Sequence, residues 1–338
     1  MARRGLLILI AVLLVAGLAG AIAVEDDAAD VALDRPTTSS VAVSTTSTAP
    51  TTSTSAAPPP ATPAIDSATR VVVTASGVVV PVVSVNSDGT VTVRTPCENT
   101  AVVRGARAVG PVTVVLDPGH GGGEPGAVGA NGLSENALNL AVTGHVERTL
   151  AAAGVTFVST RTGNYRVTLT SRAAIVAAAK PRVFVSIHHN GDPDGPRSGP
   201  GTETFYQHRS QDARRLGGLI YEEVVRALGQ YQVPWQADTD AGVKTRLNTR
   251  GGDYYAMLRQ TAGTPSVLAE LAFLSNPPEA ELLARPDVQK VEGEAVARGI
   301  IRFLTTRDPG SGFTDAYPRT VPAGGGGGKS NCVDPPLG

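Results

Sequence analysis

Between Pro111 and Thr305 the chain alternates short apolar runs with longer stretches whose apolar residues recur every three to four positions. The runs are Val112–Asp117, Thr156–Thr160, Val183–His188, Thr202–Tyr206 and Ser266–Leu271. They are near-continuous in apolar residues, as strands covered on both faces must be. The longer stretches are Glu135–Ala153, Ser171–Ala179, Gln211–Leu228 and Val288–Thr305. In the first, Leu138, Val142, Val146 and Leu150 form one helical stripe, and Gly154 supplies the stop. This alternation predicts an α/β fold, a mostly parallel twisted sheet with helices on both faces. In such sheets function collects beyond the carboxyl ends of the strands.

The rest of the 338 residues divides by composition. Met1-Ala2-Arg3-Arg4 puts two positive charges ahead of Gly5–Val24, a run without a charge that ends in Ala21-Ile22-Ala23. Residues 1–24 therefore read as a cleaved signal peptide or a retained membrane anchor, with the remainder outside the cytoplasm. Any membrane contact is expected through this segment alone. Residues 25–69 form a linker; half of residues 35–64 are Ser or Thr, broken by prolines, too little apolar surface to offset the entropy of ordering. Residues 70–110 carry β-branched runs around Asn86-Ser87-Asp88-Gly89, a hairpin signal, and read as a small β element, either a binding module or an accessory hairpin. Residues 111–305 are the expected catalytic domain and 306–338 a Gly-rich tail. A net charge of −1 argues against nucleic acid, and nothing demands more than a monomer.

Four places in the α/β region carry chemistry. Asp117-Pro118-Gly119-His120-Gly121-Gly122-Gly123 follows the first strand, with glycines leaving room beside His120. No P-loop ending is present. Ser134-Glu135 opens the first helix, Ser134 as a natural N-cap; taken alone, Glu135 is an ordinary first-turn carboxylate. The third strand closes on His188-His189-Asn190, and successive side chains point to opposite faces, so at most one histidine suits a given site. Glu270 lies inside an apolar strand, where a carboxylate needs a partner, such as Arg172, or a task. Two imidazoles and a carboxylate suit Zn2+ with one position left for water, and a further carboxylate can carry that water's proton to a leaving amine. His-Glu-His plus Glu is the composition of an amide hydrolase.

These residues resemble the catalytic domain of zinc-dependent N-acetylmuramoyl-L-alanine amidases of the Amidase_3 type. The matching stretches are Leu116–Gly122, Gly132–Asn136, Ser159–Arg161, Ser186–Asn190 and Leu268–Asn276, in the family's order. The resemblance covers roughly residues 111–304. It implies zinc on His120, Glu135 and His188, Glu270 as catalytic base, and cleavage between N-acetylmuramic acid and L-alanine of peptidoglycan. His189 stands where relatives usually carry a small residue; it either touches substrate or packs on the far side of the strand, with packing favoured. Asn190 and Arg250 are further candidate substrate contacts. Ala269-Glu270-Leu271-Ala272 replaces the family's more frequent Val-Glu-Thr-Gly. Some relatives carry an inhibitory helix after the third strand; here only Gly191–Gly201 intervenes, so a site that is not self-blocked is expected.

Residues 233–253, with Trp235, Lys244, Arg246 and Arg250, read as a surface loop, with carboxylate binding by the arginines as the alternative. Arg161 and Arg172 are expected to pair buried acids, and His145 and His208 to be structural without evident partners. In an exported chain two distant cysteines favour a Cys97–Cys332 disulfide, pinning the tail to the edge of the catalytic domain. The leading expectation is a secreted or membrane-anchored cell-wall hydrolase, in the periplasm or cell wall, whose partner is peptidoglycan or a muropeptide. The alternatives are a catalytically silent peptidoglycan-binding protein and a zinc peptidase cutting within the stem peptide.

Overall fold

A computed structural model describes residues 64–317 and 327–338. The export segment, most of the Ser/Thr/Pro linker and residues 318–326 of the tail lie outside the described residues.

The valine-rich N-terminal stretch forms β1 (Val71–Val73), β2 (Val79–Val85), β3 (Val91–Arg94), β4 (Thr100–Val103) and β5 (Arg107–Ala108), an antiparallel sheet ordered β4-β3-β2-β1-β5. Val72, Val80, Val91, Val93 and Val103 close into its own core cluster. Val71 and Val79 point the other way, into a cluster shared with the following α/β region. The stretch is thus a five-stranded sheet rather than a hairpin, seated on its neighbour by one face.

The α/β region follows as β6 (Val114–Pro118), α1 (Glu135–Ala152), β7 (Phe157–Ser159), α2 (Leu169–Ala179), β8 (Val183–Asn190), β9 (Gly195–Pro196), β10 (Glu203–Tyr206), α3 (Gln211–Leu228), β11 (Gln236–Ala237), β12 (Val243–Lys244), α4 (Ala256–Gln260), β13 (Ser266–Phe273), α5 (Pro277–Leu283) and α6 (Pro286–Thr305). Six strands form one sheet in the order β12-β10-β13-β8-β6-β7, parallel except between β10 and β13. β9 and β11 pair separately.

Side-chain parity sorts the sheet's two faces. Val114, Leu116, Val183, Val185, Ile187, Val267 and Ala269 join α1, α3 and α6 in the larger core. Val115 and Phe184 face α2, α4 and the N-terminal sheet. Asp117, His188 and Glu270 share the parity of this second face, so the strand ends deliver them to one side of the sheet. The expected stripe Leu138, Val142, Val146 and Leu150 is fully buried, each side chain contributing roughly 1.5–3 kcal/mol. Helices α1 and α6 approach closely at Gly293, where an added Cβ would lie 2.6 Å from the Val142 carbonyl.

Candidate metal centre

The first strand ends in a tightly held turn. Asp117 is buried, with Oδ1 accepting from Thr160 Oγ1 and Arg172 Nη1, both at 2.5 Å, and Oδ2 from Ser186 Oγ at 2.6 Å. Burial opposes its charge, but the Arg172 guanidinium and these hydrogen bonds outweigh it and hold the carboxyl below its ordinary value. Arg172 therefore serves Asp117, not Glu270. Arg172 also donates to the carbonyls of Pro118 (2.8 Å) and His120 (2.6 Å). Arg161, expected to pair an acid, is fully buried and donates instead to the backbone carbonyls of Pro118, Gly119, Asn136 and Gly163.

Held this way, His120 adopts φ 60°, a left-handed conformation uncommon for a residue with a Cβ. Gly119 is required for a different reason than open space beside His120: a Cβ there would fall on the His188 imidazole, 2.5 Å from Nδ1. The two imidazoles meet edge to face with centroids 5.1 Å apart.

Glu135, buried at the first position of α1, lies between them. Its Oε2 is 3.2 Å from His120 Nε2 and accepts from the Ala127 amide at 2.8 Å; its Oε1 is 2.9 Å from His188 Nδ1. Burial raises its pKa, but the His120 and His188 contacts prevail and hold the carboxyl well below the usual range. His188 is pushed down, mainly by burial, which favours the neutral imidazole a metal requires. Ser134 occupies the N-cap position, yet its hydroxyl donates to Asn136 Oδ1 (2.8 Å) and makes no cap bond.

One donor atom from each of His120, Glu135 and His188 lies within 4.8 Å of the others. An N, O, N set at this spacing fits a small divalent cation with open positions. Beside it is Glu270, register partner of His188 on β8 and of Glu203 on β10. Glu270 Oε2 is sealed from solvent and has no hydrogen-bond partner among the described residues. Burial, reinforced by the charges of Glu135, Glu203 and Asp238, pushes its pKa well above the ordinary value. His120, His188 and Glu270 open into a cleft of about 460 Å³ whose walls include Tyr254, Met257 and Leu268.

The remaining candidates have other partners. His189 is buried on the opposite face of the sheet, with Nδ1 2.7 Å from Asn139 Oδ1 and Nε2 3.3 Å from Glu292 Oε1. Asn190 donates to Glu203 Oε2 at 2.7 Å. Arg250 is exposed and does not line the cleft. His208 does have a partner, Asp253 Oδ1 at 3.0 Å. Residues 233–253 are not a plain surface loop. Trp235 and Lys244 are buried, and Lys244 Nζ contacts the carboxylates of Glu203 and Asp240, the latter at 2.7 Å. Burial nevertheless pushes Glu203 up to about 7. Glu203 is a buried carboxylate like Glu270, but its flanking Thr202 and Thr204 gave no such signal in the sequence. Tyr255, also missed, is pushed up by burial and by the Glu270 charge, which marks its phenol as a neighbour of that carboxylate. Residues 191–202 hold β9 and no helix.

Comparison with known proteins agrees with this geometry. The profile of the Amidase_3 family, N-acetylmuramoyl-L-alanine amidase, matches residues 114–302. The chain is 36% identical over 200 residues to the uncharacterized protein YqiI of Bacillus subtilis, covering 58% of this chain and 87% of that one. It is 30% identical over 193 residues to N-acetylmuramoyl-L-alanine amidase LytC of Bacillus subtilis, covering 56% of this chain but only 35% of LytC. Among solved structures, Cwp6 from Clostridium difficile superposes with a TM-score of 0.50 at 27% identity, covering 58% of this chain and 30% of that one. With more than half of its length matched, and with His120, Glu135 and His188 gathered beside Glu270, the chain belongs to the N-acetylmuramoyl-L-alanine amidase family Amidase_3.

Proposed function

We propose that the protein is a zinc-dependent peptidoglycan hydrolase that cleaves the amide between N-acetylmuramic acid and L-alanine of the stem peptide. The reading rests chiefly on the convergence of His120, Glu135 and His188 beside a carboxylate, Glu270, whose Oε2 has no hydrogen-bond partner among the described residues. His120, Glu135 and His188 would hold the zinc, which when bound lowers the pKa of water toward about 7 and polarises the scissile carbonyl. Glu270, with a raised affinity for protons, takes the proton of the attacking water and passes it to the departing L-alanine nitrogen. Arg161 and Arg172 hold the His120 turn so that the ligand nitrogens need not reorganise. The cleft wall of Tyr254, Met257 and Leu268 excludes water from one side of the scissile bond.

On this reading residues 1–24 export the chain, as cleaved signal or retained anchor, and the linker lets the catalytic domain reach the wall. No helix among the described residues is long and apolar enough to cross a membrane.

Purified protein incubated with muramyl dipeptide is expected to release a free L-alanine amine, to stop with chelator, and to recover with added zinc. Replacing Glu270 with Ala should lower kcat by about 10²–10⁴-fold while zinc remains bound. Cleavage inside the peptide would instead favour a zinc peptidase, and zinc-dependent binding without product a silent binding protein.

A further inference from the structure

The C-terminal residues Gly327–Gly338 return across the molecule to the loop between the first two metal-ligand candidates. Cys332 is joined to Cys97, a buried residue in the turn after β3, with a Cα–Cα distance of 5.5 Å. Asp334 reinforces the junction, accepting from Thr95 Oγ1, the Cys97 amide and Asn99 Nδ2, each at 2.8 Å. Further on, the Pro336 carbonyl accepts from Ser76 Oγ at 2.6 Å, and Leu337 packs on the core of the N-terminal sheet.

Upstream of the disulfide the segment reaches the cleft, where Gly327 forms part of the wall beside Glu124 and His120. The Gly327 amide donates to Glu124 Oε1 (2.7 Å), and its carbonyl accepts from the Leu169 amide (3.0 Å) at the start of α2. Arg166 ties the rest together, donating to the carbonyls of Gly328 (2.8 Å) and Ser330 (2.7 Å) and to Glu124 Oε1 (2.8 Å). Glu124 lies in the loop joining His120 to Glu135. Its carbonyl accepts from the Gly121 amide (3.0 Å) and Asn136 Nδ2 (3.1 Å), and three residues later the Ala127 amide donates to Glu135 Oε2. Each link from the disulfide to the ligands is a bond between named groups.

We propose that the segment 327–338 is a brace for the metal centre: fastened at Cys97, it holds the loop that carries His120 and orients Glu135, with Glu124 and Arg166 as positioning residues. The proposal deepens the zinc-amidase reading and rests on its assignment of His120, Glu135 and His188 as ligands. A ligand loop freed from outer supports loses metal affinity, since partners beyond the ligands fix ligand orientation. The brace has two ends in series: the disulfide anchors the segment to the N-terminal sheet, whereas Arg166 and Glu124 couple it to the loop.

The test uses the full chain and three variants: the double replacement Cys97→Ser/Cys332→Ser, Glu124→Ala and Arg166→Ala. Zinc affinity is read by competition with a chromogenic chelator, and amide hydrogen exchange is followed at Gly121 and Ala127. Each variant is expected to bind zinc about tenfold more weakly than the native chain, with faster exchange at both amides and the catalytic domain still folded by circular dichroism. Should the double-serine protein not fold, Glu124→Ala and Arg166→Ala, which keep the disulfide, decide the matter. Variants that fold, bind zinc as tightly as the native chain and exchange at native rates overturn the brace. In that case tight zinc binding by the native chain leaves the amidase reading standing, whereas a native chain that binds no zinc brings down both.

Discussion

Asp117 sets the construction of the site at the residue scale, because its one carboxylate organises Thr160, Ser186 and Arg172 beneath the His120 turn. Replacing Asp117 with Asn leaves the Arg172 charge buried without its counter-ion, so urea unfolding should show a loss of about 3–5 kcal/mol. The pH dependence has a definite sign. The folded pKa lies below the ordinary 3.8, so charged Asp117 contributes stability above that pH and loses it as pH falls through the folded value. Native protein should therefore weaken in acid below about pH 4, and the Asp117→Asn variant should show a shallower acid decline. At a nearby position, Gly119→Ala drives a methyl into the His188 ring; zinc affinity should fall while the thermal midpoint changes little. His120, Glu135, His188 and Glu270 were legible in the sequence through their family-like motifs, and three of them also through local oddity: histidines at strand ends and a carboxylate in an apolar run. Their convergence was not, since nothing in the order of residues states that Gly119 is the space His188 fills. Lys244 was misread for the opposite reason: a lysine among loop residues looks solvated until Glu203 and Asp240 close around it.

At the scale of elements, periodicity served the long segments and failed the short ones. The stripe of α1 and the apolar runs of β6, β8 and β13 predicted elements whose ends moved by a residue or two. α4 spans five residues and β12 two, too few to display a period, and both are formed by pairing and packing with distant parts of the chain. The N-terminal valine runs showed strands but not their count or their seat on α2, which depend on which valine face meets which neighbour. Two substitutions test the packing of α1. Leu138→Ala should destabilise by about 2–5 kcal/mol through the cavity it opens. Gly293→Val should destabilise as well, by separating α1 from α6, and an exposed substitution on α6 such as Lys290→Ala should not. A neutral result for Gly293→Val in calorimetry would contradict the close approach of the two helices.

For the whole molecule, the described chain is an α/β domain with a five-stranded sheet on one side and a tail returned to it by a disulfide. The pairing of Cys97 with Cys332 followed from two cysteines and an expected oxidising compartment, and the bond is present. Its sequence separation of 235 residues constrains much of the unfolded chain, so the double serine variant should lose about 5.5 kcal/mol of unfolding free energy in the chain-entropy picture. What the tail does beyond that was not legible, because the partners of Gly327, Arg166 and Glu124 are set only once the chain has folded. The amidase reading stands on the identity of the bond that is cut. Mass spectrometry of the products released from intact sacculi identifies that bond, using the full-length protein with zinc, with chelator, and as Glu270→Gln. Complete stem peptides bearing a free L-alanine amine are expected, in the zinc reaction alone. Peptides shortened from within, or the same products from Glu270→Gln at the native rate, would contradict it.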